Sequence, residues 1–594
     1  MKIVQSNPVP FLCAVLLVAA GCGKGVKGSN NNNNNGGGGG GGTVTTDSIY
    51  NPVDPATPAT VGFFSNNWVQ RTFAGPGDAG SSPLTTTSTV TDSLTINVNK
   101  VLAKVPPTVF GNNSNLWMGQ IVTQANLLQY ITDLSPNVIR GPGGSISDVY
   151  FWNGTTVNPA PVDVPDSIYT NDGTLGPTGP WYGGKYGTGT PGTLTLPNYY
   201  SMLASAKSQG LITINYAYAR YGTGPNPVAA AAHLAADWVR DDNGQTKYWE
   251  IGNEDYGNWE AGWEIDVTKN HDGQPQYITG ALYGQHWMVF ADSMRAAAQQ
   301  IGATIYIGAI LYGTAPQSYD YPSIQTWNQG VLQNAGAGAD FFIIHDYFTG
   351  YNANSTVQQI FATATAEAPA DMAFITGQIS GAGVTAKPIA LTEWNIQATG
   401  SMQNTSYIAG MHAALTLGTF IRNGFGEASR WDLANGYAKG DDMGMFNVGD
   451  EPNAPLWNPR PAFYYMYYFQ RFFGDRMVYD TLKRSNTDLV AYASTFSSGQ
   501  AGAVVINTGG LNHVLSIDFQ HFPAGTNYHY IVLAGGTDNP PFSSQVYVNG
   551  TGPATSTGGP LSYSTIKTYS APLTGTIKIT VPAMSVIYLV ADGK

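Results

Sequence analysis

Residues Tyr248-Trp249-Glu250-Ile251-Gly252-Asn253-Glu254-Asp255-Tyr256-Gly257-Asn258-Trp259 decide the reading of the chain. Three β-favouring residues, Tyr248, Trp249 and Ile251, run with Glu250 into Gly252, and the run ends on the polar pair Asn253-Glu254. A buried strand that finishes on a carboxylate places that group at the C-terminal mouth of a parallel barrel, where active sites are built. A second stretch, Pro388-Ile389-Ala390-Leu391-Thr392-Glu393-Trp394-Asn395, has the same design. Alone, either Glu is a common helix cap. As a pair they match the needs of acid/base and nucleophilic chemistry on one bond. The acid of such a pair needs a pKa well above that of a free carboxyl, and burial beside Trp259 and Trp394 is expected to raise that of Glu254. Asn253 is placed to donate to a substrate hydroxyl.

Outward from these stretches, short apolar runs alternate with helical periodicity. Strands are expected at 108–111, 137–140, 211–216, 248–253, 304–310, 340–345, 388–392 and 428–433, and helices at 118–134, 228–240, 283–301 and 407–423. Eight such strands over this length predict a (β/α)₈ TIM barrel, with Glu254 ending the fourth strand and Glu393 the seventh. The rival, a doubly wound sheet, needs a glycine-rich phosphate loop after an early strand. The one such string, Gly187 to Gly192, follows no strand and contains Pro191. After an aromatic helix at 463–473 only strands follow, at 478–482, 489–494, 503–506, 515–519, 530–533, 545–548, 575–579 and 585–590, which predicts a C-terminal β-sandwich. The alternation Leu94, Ile96, Val98 predicts a strand that pairs far away in sequence. The expected organisation is a signal peptide at 1–22, an Asn/Gly-rich linker at 23–46, N-terminal strands and coil at 47–106 partly joining the sandwich, the barrel at 107–474 and the sandwich at 475–594.

The joint pattern of Asn253-Glu254 and Glu393-Trp394 resembles clan A of the glycoside hydrolases, and several strings resemble its family 51 α-L-arabinofuranosidases. Gly252-Asn253-Glu254 with Gly257 and Trp259 is similar to that family's acid/base segment, and Thr392-Glu393-Trp394-Asn395 to its nucleophile segment. Val138-Ile139-Arg140-Gly141-Pro142-Gly143-Gly144 is similar to its strand 2 signature, and His345-Asp346-Tyr347 to its strand 6 motif. The resemblance covers roughly residues 105–435. It implies retention of configuration, with Glu254 as acid/base, Glu393 as nucleophile and their carboxyls roughly 5–5.5 Å apart. The family's first-strand loop carries a His and an acidic residue, whereas this chain reads Phe110-Gly111-Asn112-Asn113-Ser114-Asn115. The clan-level likeness therefore reaches further than the arabinofuranoside one, and clan relatives that cleave β-glucan or xylan stay open.

Around the pair, Arg140 is placed to bond Glu393 and keep it ionised, Tyr347 to donate to Glu393, and His345 to bind substrate or to be a satisfied core residue. Trp152, Trp181, Trp259, Trp394 and Trp431 are candidate stacking platforms for sugar faces, with core packing as the alternative for each. Asp441-Asp442 reads as a solvated turn rather than a calcium site.

The rest of the sequence bounds the partners. Net charge is −12 with no Lys/Arg cluster, which excludes nucleic acid. Charged residues are 11%, so polarity comes from Gly, Asn, Ser and Thr, a composition suited to neutral ligands. The eight histidines show no metal-ligand spacing, and both cysteines, Cys13 and Cys22, precede the folded body, so no metal or other cofactor is expected. Val18-Ala19-Ala20-Gly21-Cys22 after an apolar run resembles a bacterial lipobox with Cys22 as the lipidated residue, and Asn30–Asn35 with Gly36–Gly42 forms a tether. The expectation is a retaining glycoside hydrolase of plant-type or microbial polysaccharide, most arabinofuranosidase-like, lipid-anchored at the bacterial envelope or otherwise secreted. The alternatives are an endo-β-glucanase or xylanase of the clan, a non-catalytic carbohydrate-binding lipoprotein, a lyase and a surface structural protein.

Overall fold

A computed structural model describes residues 50–156, 160–170, 174–177, 181–185, 193–400, 402–437 and 443–594. Cys13, Cys22, the Asn/Gly tether, the string Gly187 to Gly192 and Asp441-Asp442 lie outside the described residues.

Eight parallel strands close into a barrel. They are β1 Gly111–Asn113, β2 Val138–Gly141, β3 Gln209–Ile214, β4 Tyr248–Ile251, β5 Tyr306–Ile310, β6 Phe341–Tyr347, β7 Ile389–Asn395 and β8 Glu427–Arg430. Closure is made by β8 on β1, where Ser429 pairs with Gly111. Every residue of β2, β4, β7 and β8 is buried. Helices cover the outside and side chains fill the inside, so β4 and β7 read as largely apolar runs rather than alternating ones, whereas β8 is buried with the polar residues Glu427, Ser429 and Arg430. Two registers slip near the mouth. One lies between Ile344 and His345 on β6 and sets His345 opposite Glu393, and the other lies between Leu391 and Trp394 on β7. Irregularities of this kind re-aim side chains at barrel rims.

The first strand starts later than its sequence suggests. Pro107–Val109 forms a 3₁₀ turn, because Pro106 and Pro107 bring no N–H to a ladder. The first helix also starts later, at Ala125, since Gly119 at φ +61° breaks the run. Several outer helices begin on side-chain caps: Thr279 accepts from Leu282 N, Thr356 forms a capping box with Gln359, and Ser406 accepts from Ala409 N.

The C-terminal strands form one continuous ten-stranded sheet that includes Asp92–Lys104. That strand pairs antiparallel with Arg476–Lys483 and parallel with His513–Gln520, as the alternation of Leu94, Ile96 and Val98 requires. The strand Tyr569–Pro572, short and ending in proline, has no counterpart in the sequence reading. One face of the curled sheet encloses its own core of Ile96, Ile517, Ile579, Ile587 and Leu589. The other face packs on the barrel: Tyr492 OH donates to Leu415 O at 2.9 Å and Tyr588 OH to Tyr465 O at 2.8 Å. Helix Tyr407–Arg422, wedged between barrel and sheet, is buried from Tyr407 to Ile421. A Cβ on its Gly418 would lie 2.4 Å from the ring of Tyr492, so only glycine admits the contact. Among the described residues, no helix is long and apolar enough to cross a membrane.

Behind the mouth, Asp346 on β6 shares a hydrogen bond with Asp371 of helix Val357–Gly381. Burial pushes Asp346 up to about 7, and burial with the neighbouring Asp346 charge pushes Asp371 up to about 9. A carboxyl whose folded pKa is raised loses stabilising free energy as pH climbs from its unfolded value, near 4, to its folded one. Asp371→Asn is therefore expected to be more stable than the parent at about pH 9, by on the order of a few kcal/mol, and nearly equal to it at about pH 5. Thermal unfolding of both proteins across that range measures this. A stability difference independent of pH contradicts it.

Candidate active site

The barrel mouth is organised by Arg140 at the end of β2. Its guanidinium, fully buried, donates from Nη1 to Glu393 Oε1 at 2.8 Å and Asn113 Oδ1 at 3.0 Å, and from Nη2 to Asn253 Oδ1 at 2.8 Å. Its Nε pairs with Glu250 inside β4, which also accepts from Thr213 Oγ1 at 2.7 Å. Burial opposes the charge, but Glu250 and Glu393 outweigh it and hold the guanidinium above its ordinary pKa. One cation thus joins β1, β2, β4 and β7. The glycines after it let the mouth close: a Cβ on Gly144 would lie 2.5 Å from the half-buried Trp431 indole, which follows β8.

Glu393, on β7, receives a second donor from Tyr347 OH, at 2.5 Å to Oε2. Burial and the Glu393 charge drive the Tyr347 phenol well above its usual range, so it stays a donor. Glu254 follows β4 on a turn in which Gly252 takes φ +85° and Glu254 itself φ +46°. Positive φ at a non-glycine residue is uncommon, and such positions gather at functional sites. The turn sends the Glu254 carboxylate back over the mouth, where Oε2 accepts from Trp259 Nε1 at 2.7 Å and Oε1 meets His345 Nδ1 at 2.8 Å. A carboxylate oxygen of Glu254, one of Glu393 and a ring nitrogen of His345 all lie within 4.8 Å of one another.

The expected rise in the pKa of Glu254 is corrected by this geometry. Burial does push it up, but the His345 hydrogen bond and charge, together with Trp259, outweigh burial and leave it lowered. His345 moves the other way: burial lowers its pKa, and the charges of Glu393 and Glu254 raise it above the ordinary value. Each of the two groups thus favours the charged form of the other. Among the described residues this trio is the set with cation-binding spacing. The charge of Arg140, 2.8 Å from Glu393, opposes a metal there.

Other sequence expectations are placed as follows. Trp394 is not a sugar platform. It is fully buried against Phe348 and Phe420, because along a strand its side chain points opposite to that of Glu393, into the helix layer. Arg140 is buried behind Glu393 and contacts the carboxylate rather than any open surface. Asn253 is held on both sides, accepting from Arg140 and donating from Nδ2 to Glu260 Oε1 at 2.8 Å, which leaves it 2% exposed. Trp152 and Trp181 belong to the core, and Trp259 stays open at the mouth.

The sequence reading passed over Asn113, Glu250, Glu260 and Asp148. Asn113 donates from Nδ2 to Thr392 O at 2.8 Å and so ties β1 to β7. Glu260, which also accepts from Ser145 Oγ at 2.8 Å, lies near the buried Asp148, and burial with the Glu254 charge pushes it up to about 8. A buried Glu inside the run Tyr248 to Ile251 was the one visible sign of this network.

The parallel barrel thus carries two glutamates at strand ends, Glu254 after β4 and Glu393 on β7, and is followed by the C-terminal sheet. Among solved structures the chain is similar to an α-L-arabinofuranosidase from Thermotoga maritima in its arabinose complex, with TM-score 0.57, 15% identity, and 84% of this chain and 99% of that one covered. It is similar to a bifunctional glucanase-xylanase from a metagenome library, with TM-score 0.56, 15% identity and coverage of 85% and 100%. A Paenibacillus polymyxa family 44 xyloglucanase matches at TM-score 0.53 and 12% identity, with coverage of 85% and 100%. At these identities the likeness is one of fold. At the level of sequence, no family and no curated protein matches.

Proposed function

We propose that this chain is a retaining glycoside hydrolase in which Glu393 is the nucleophile and Glu254 the acid/base. The observation that carries the reading is the approach of the two carboxylates to within 4.8 Å at the barrel mouth. That separation leaves no room for the intervening water an inverting mechanism needs. Glu393, oriented by Arg140 and Tyr347, attacks the anomeric carbon. The carbon–oxygen bond to the leaving group breaks as Glu254 delivers a proton. Esterification then removes the Glu393 charge, water enters, and Glu254 takes its proton as the water oxygen bonds the anomeric carbon and frees Glu393. His345 keeps the proton available, so cleavage of unactivated glycosides falls as pH rises through its raised pKa.

The finer assignment is α-L-arabinofuranosidase-like, supported by the strings around Arg140, Glu254 and Glu393 and by the fold likeness to the Thermotoga enzyme. An endo-β-glucanase or xylanase activity is the second reading, favoured by the equal fold likeness to the glucanase-xylanase. Purified protein is tested on a panel of aryl glycosides and on arabinoxylan, arabinan, xylan, glucomannan and β-glucan, with product configuration followed by NMR. Retained configuration is expected. An inverted first product, or no cleavage of any glycoside, overturns the reading.

Location belongs to the same proposal: Cys22 carries a lipid anchor and the Asn/Gly tether spaces the enzyme from the membrane. Cys22→Ala is expected to move the protein from the membrane fraction to the soluble one with specific activity unchanged. Unchanged membrane partition contradicts the anchor.

A further inference from the structure

Large aromatic side chains are exposed on the two loops that follow β4 and β5. Trp259 is 38% exposed, Tyr277 47%, Tyr321 43% and Tyr319 84%. Single exposed aromatics are ordinary. Trp259, Tyr321 and Tyr277 form a connected row, with Tyr319 beside Tyr321 in sequence. Trp259 donates to Glu254, and next to it Asn258 Nδ2 donates to Tyr321 OH at 2.8 Å. Tyr321 and Tyr277 both rest on the buried Trp263, with ring centroids 5.2 Å and 5.0 Å away. Trp263 is itself pinned, donating from Nε1 to Ser323 Oγ at 3.0 Å. Tyr319 stands two residues before Tyr321 at the outer end. Trp259, Tyr321 and Tyr277 are thus held in place while part of each stays open, and Tyr319 is exposed without such a base.

The side of the mouth on which the row lies decides its use. It starts at Glu254 and leaves through the β4 and β5 loops, away from Glu393 on β7. An acid that protonates the departing oxygen stands beside the leaving group, so whatever follows the row is the leaving group's continuation. Aromatic faces take the C–H faces of sugar rings, and a row of them takes consecutive rings. Two acidic groups lie beside it, Glu264, paired with Tyr277 in a β-bridge, and Asp320, between Tyr319 and Tyr321, so a polyuronate is disfavoured.

We infer that Trp259, Tyr321, Tyr277 and Tyr319 form a leaving-group-side binding track for a neutral polysaccharide chain. This rests on the assignment of Glu254 as the acid. The bond cleaved therefore joins a sugar at the mouth to a polymer, and short substrates forgo the track.

The test is the double variant Tyr277→Ala/Tyr319→Ala, which leaves Trp263, Tyr321 and the mouth untouched, with Tyr277→Phe/Tyr319→Phe as the conservative control. Affinity electrophoresis through gels containing arabinoxylan, arabinan, xylan, glucomannan, β-glucan or polygalacturonate gives binding, and kcat/KM on the same polymers and on an aryl glycoside gives turnover. The parent and the Phe variant are expected to be retarded by at least one neutral polymer, and the Ala variant not. On that polymer the Ala variant is expected to lose about tenfold or more in kcat/KM, with aryl glycoside turnover within about twofold of the parent. Equal retardation and equal turnover in all three proteins overturns the track, as does an equal loss on polymer and aryl glycoside, or retardation by polygalacturonate alone. Retardation that depends on the tyrosines in a protein that cleaves no glycoside keeps the track and removes the enzymatic reading. Cleavage with no dependence on them does the reverse.

Discussion

Glu393→Ala is expected to lose about 10⁴-fold or more of its activity on every glycoside, activated or natural, because the covalent step has no other donor of electrons. Two features keep this from being a folding defect. Arg140 retains its pairing with Glu250 and its bonds to Asn113 and Asn253, and Tyr347 sits at the rim of the mouth rather than beneath it. Truncation therefore leaves a pocket the size of a carboxylate, faced by the Arg140 Nη1 and Tyr347 hydroxyl donors that held Glu393. Azide, small and anionic, suits that pocket. It attacks the anomeric carbon from the face opposite the leaving group, and the glycosyl azide formed has inverted configuration. The measurement is restored turnover of a dinitrophenyl glycoside with added azide and NMR assignment of the product. Activity within about tenfold of the parent, or a glycosyl azide of retained configuration, removes Glu393 from the role.

What the sequence revealed of this site, and what it hid, divides along physical lines. Strands such as β6 and β7 were legible because burial on both faces writes a mainly apolar run, and the run that stops at Asn253-Glu254 or Thr392-Glu393 marks a strand end directly, whereas β1, Gly111–Asn113, carries no such run. The strand Asp92–Lys104 was legible for the opposite reason, since one face meets the sheet's core and the other faces away. Trp394 was misread because proximity in sequence to Glu393 says nothing of which side of the strand it leaves from. The lowered pKa of Glu254 was hidden because its cause, His345, lies 91 residues further on and meets it only when β4 and β6 are set in the barrel. The same holds for Glu250 and Arg140, 110 residues apart. Apolar patterning reports how much of a residue is buried, whereas the charge of a buried group depends on partners that only closure of the barrel brings together.

Glu254→Ala is expected to behave differently from Glu393→Ala, and the difference tests the two roles independently of the sugar. A natural glycan leaves as an alkoxide unless it is protonated, and loss of the general acid costs such substrates about 10²–10⁴-fold. A dinitrophenolate leaves without a proton, so formation of the glycosyl-enzyme on Glu393 is expected to survive. The second half-reaction then slows, because the water that must break the ester has lost its base, and the intermediate accumulates. Its signatures are a pre-steady-state burst of dinitrophenolate and a fall in KM along with kcat. The space left beside His345 and Trp259 lies on the leaving-group face, so azide entering there attacks the glycosyl-enzyme a second time from the original side. Turnover rises, and the glycosyl azide keeps the substrate's configuration. Departure of the dinitrophenolate draws no proton from His345, so the basic limb expected with natural glycosides is expected to be absent from the pH profile of the activated substrate. Equal losses on activated and natural substrates, with no burst and no azide product, mean that Glu254 is not the acid/base. The 4.8 Å approach of the two carboxylates then needs another explanation.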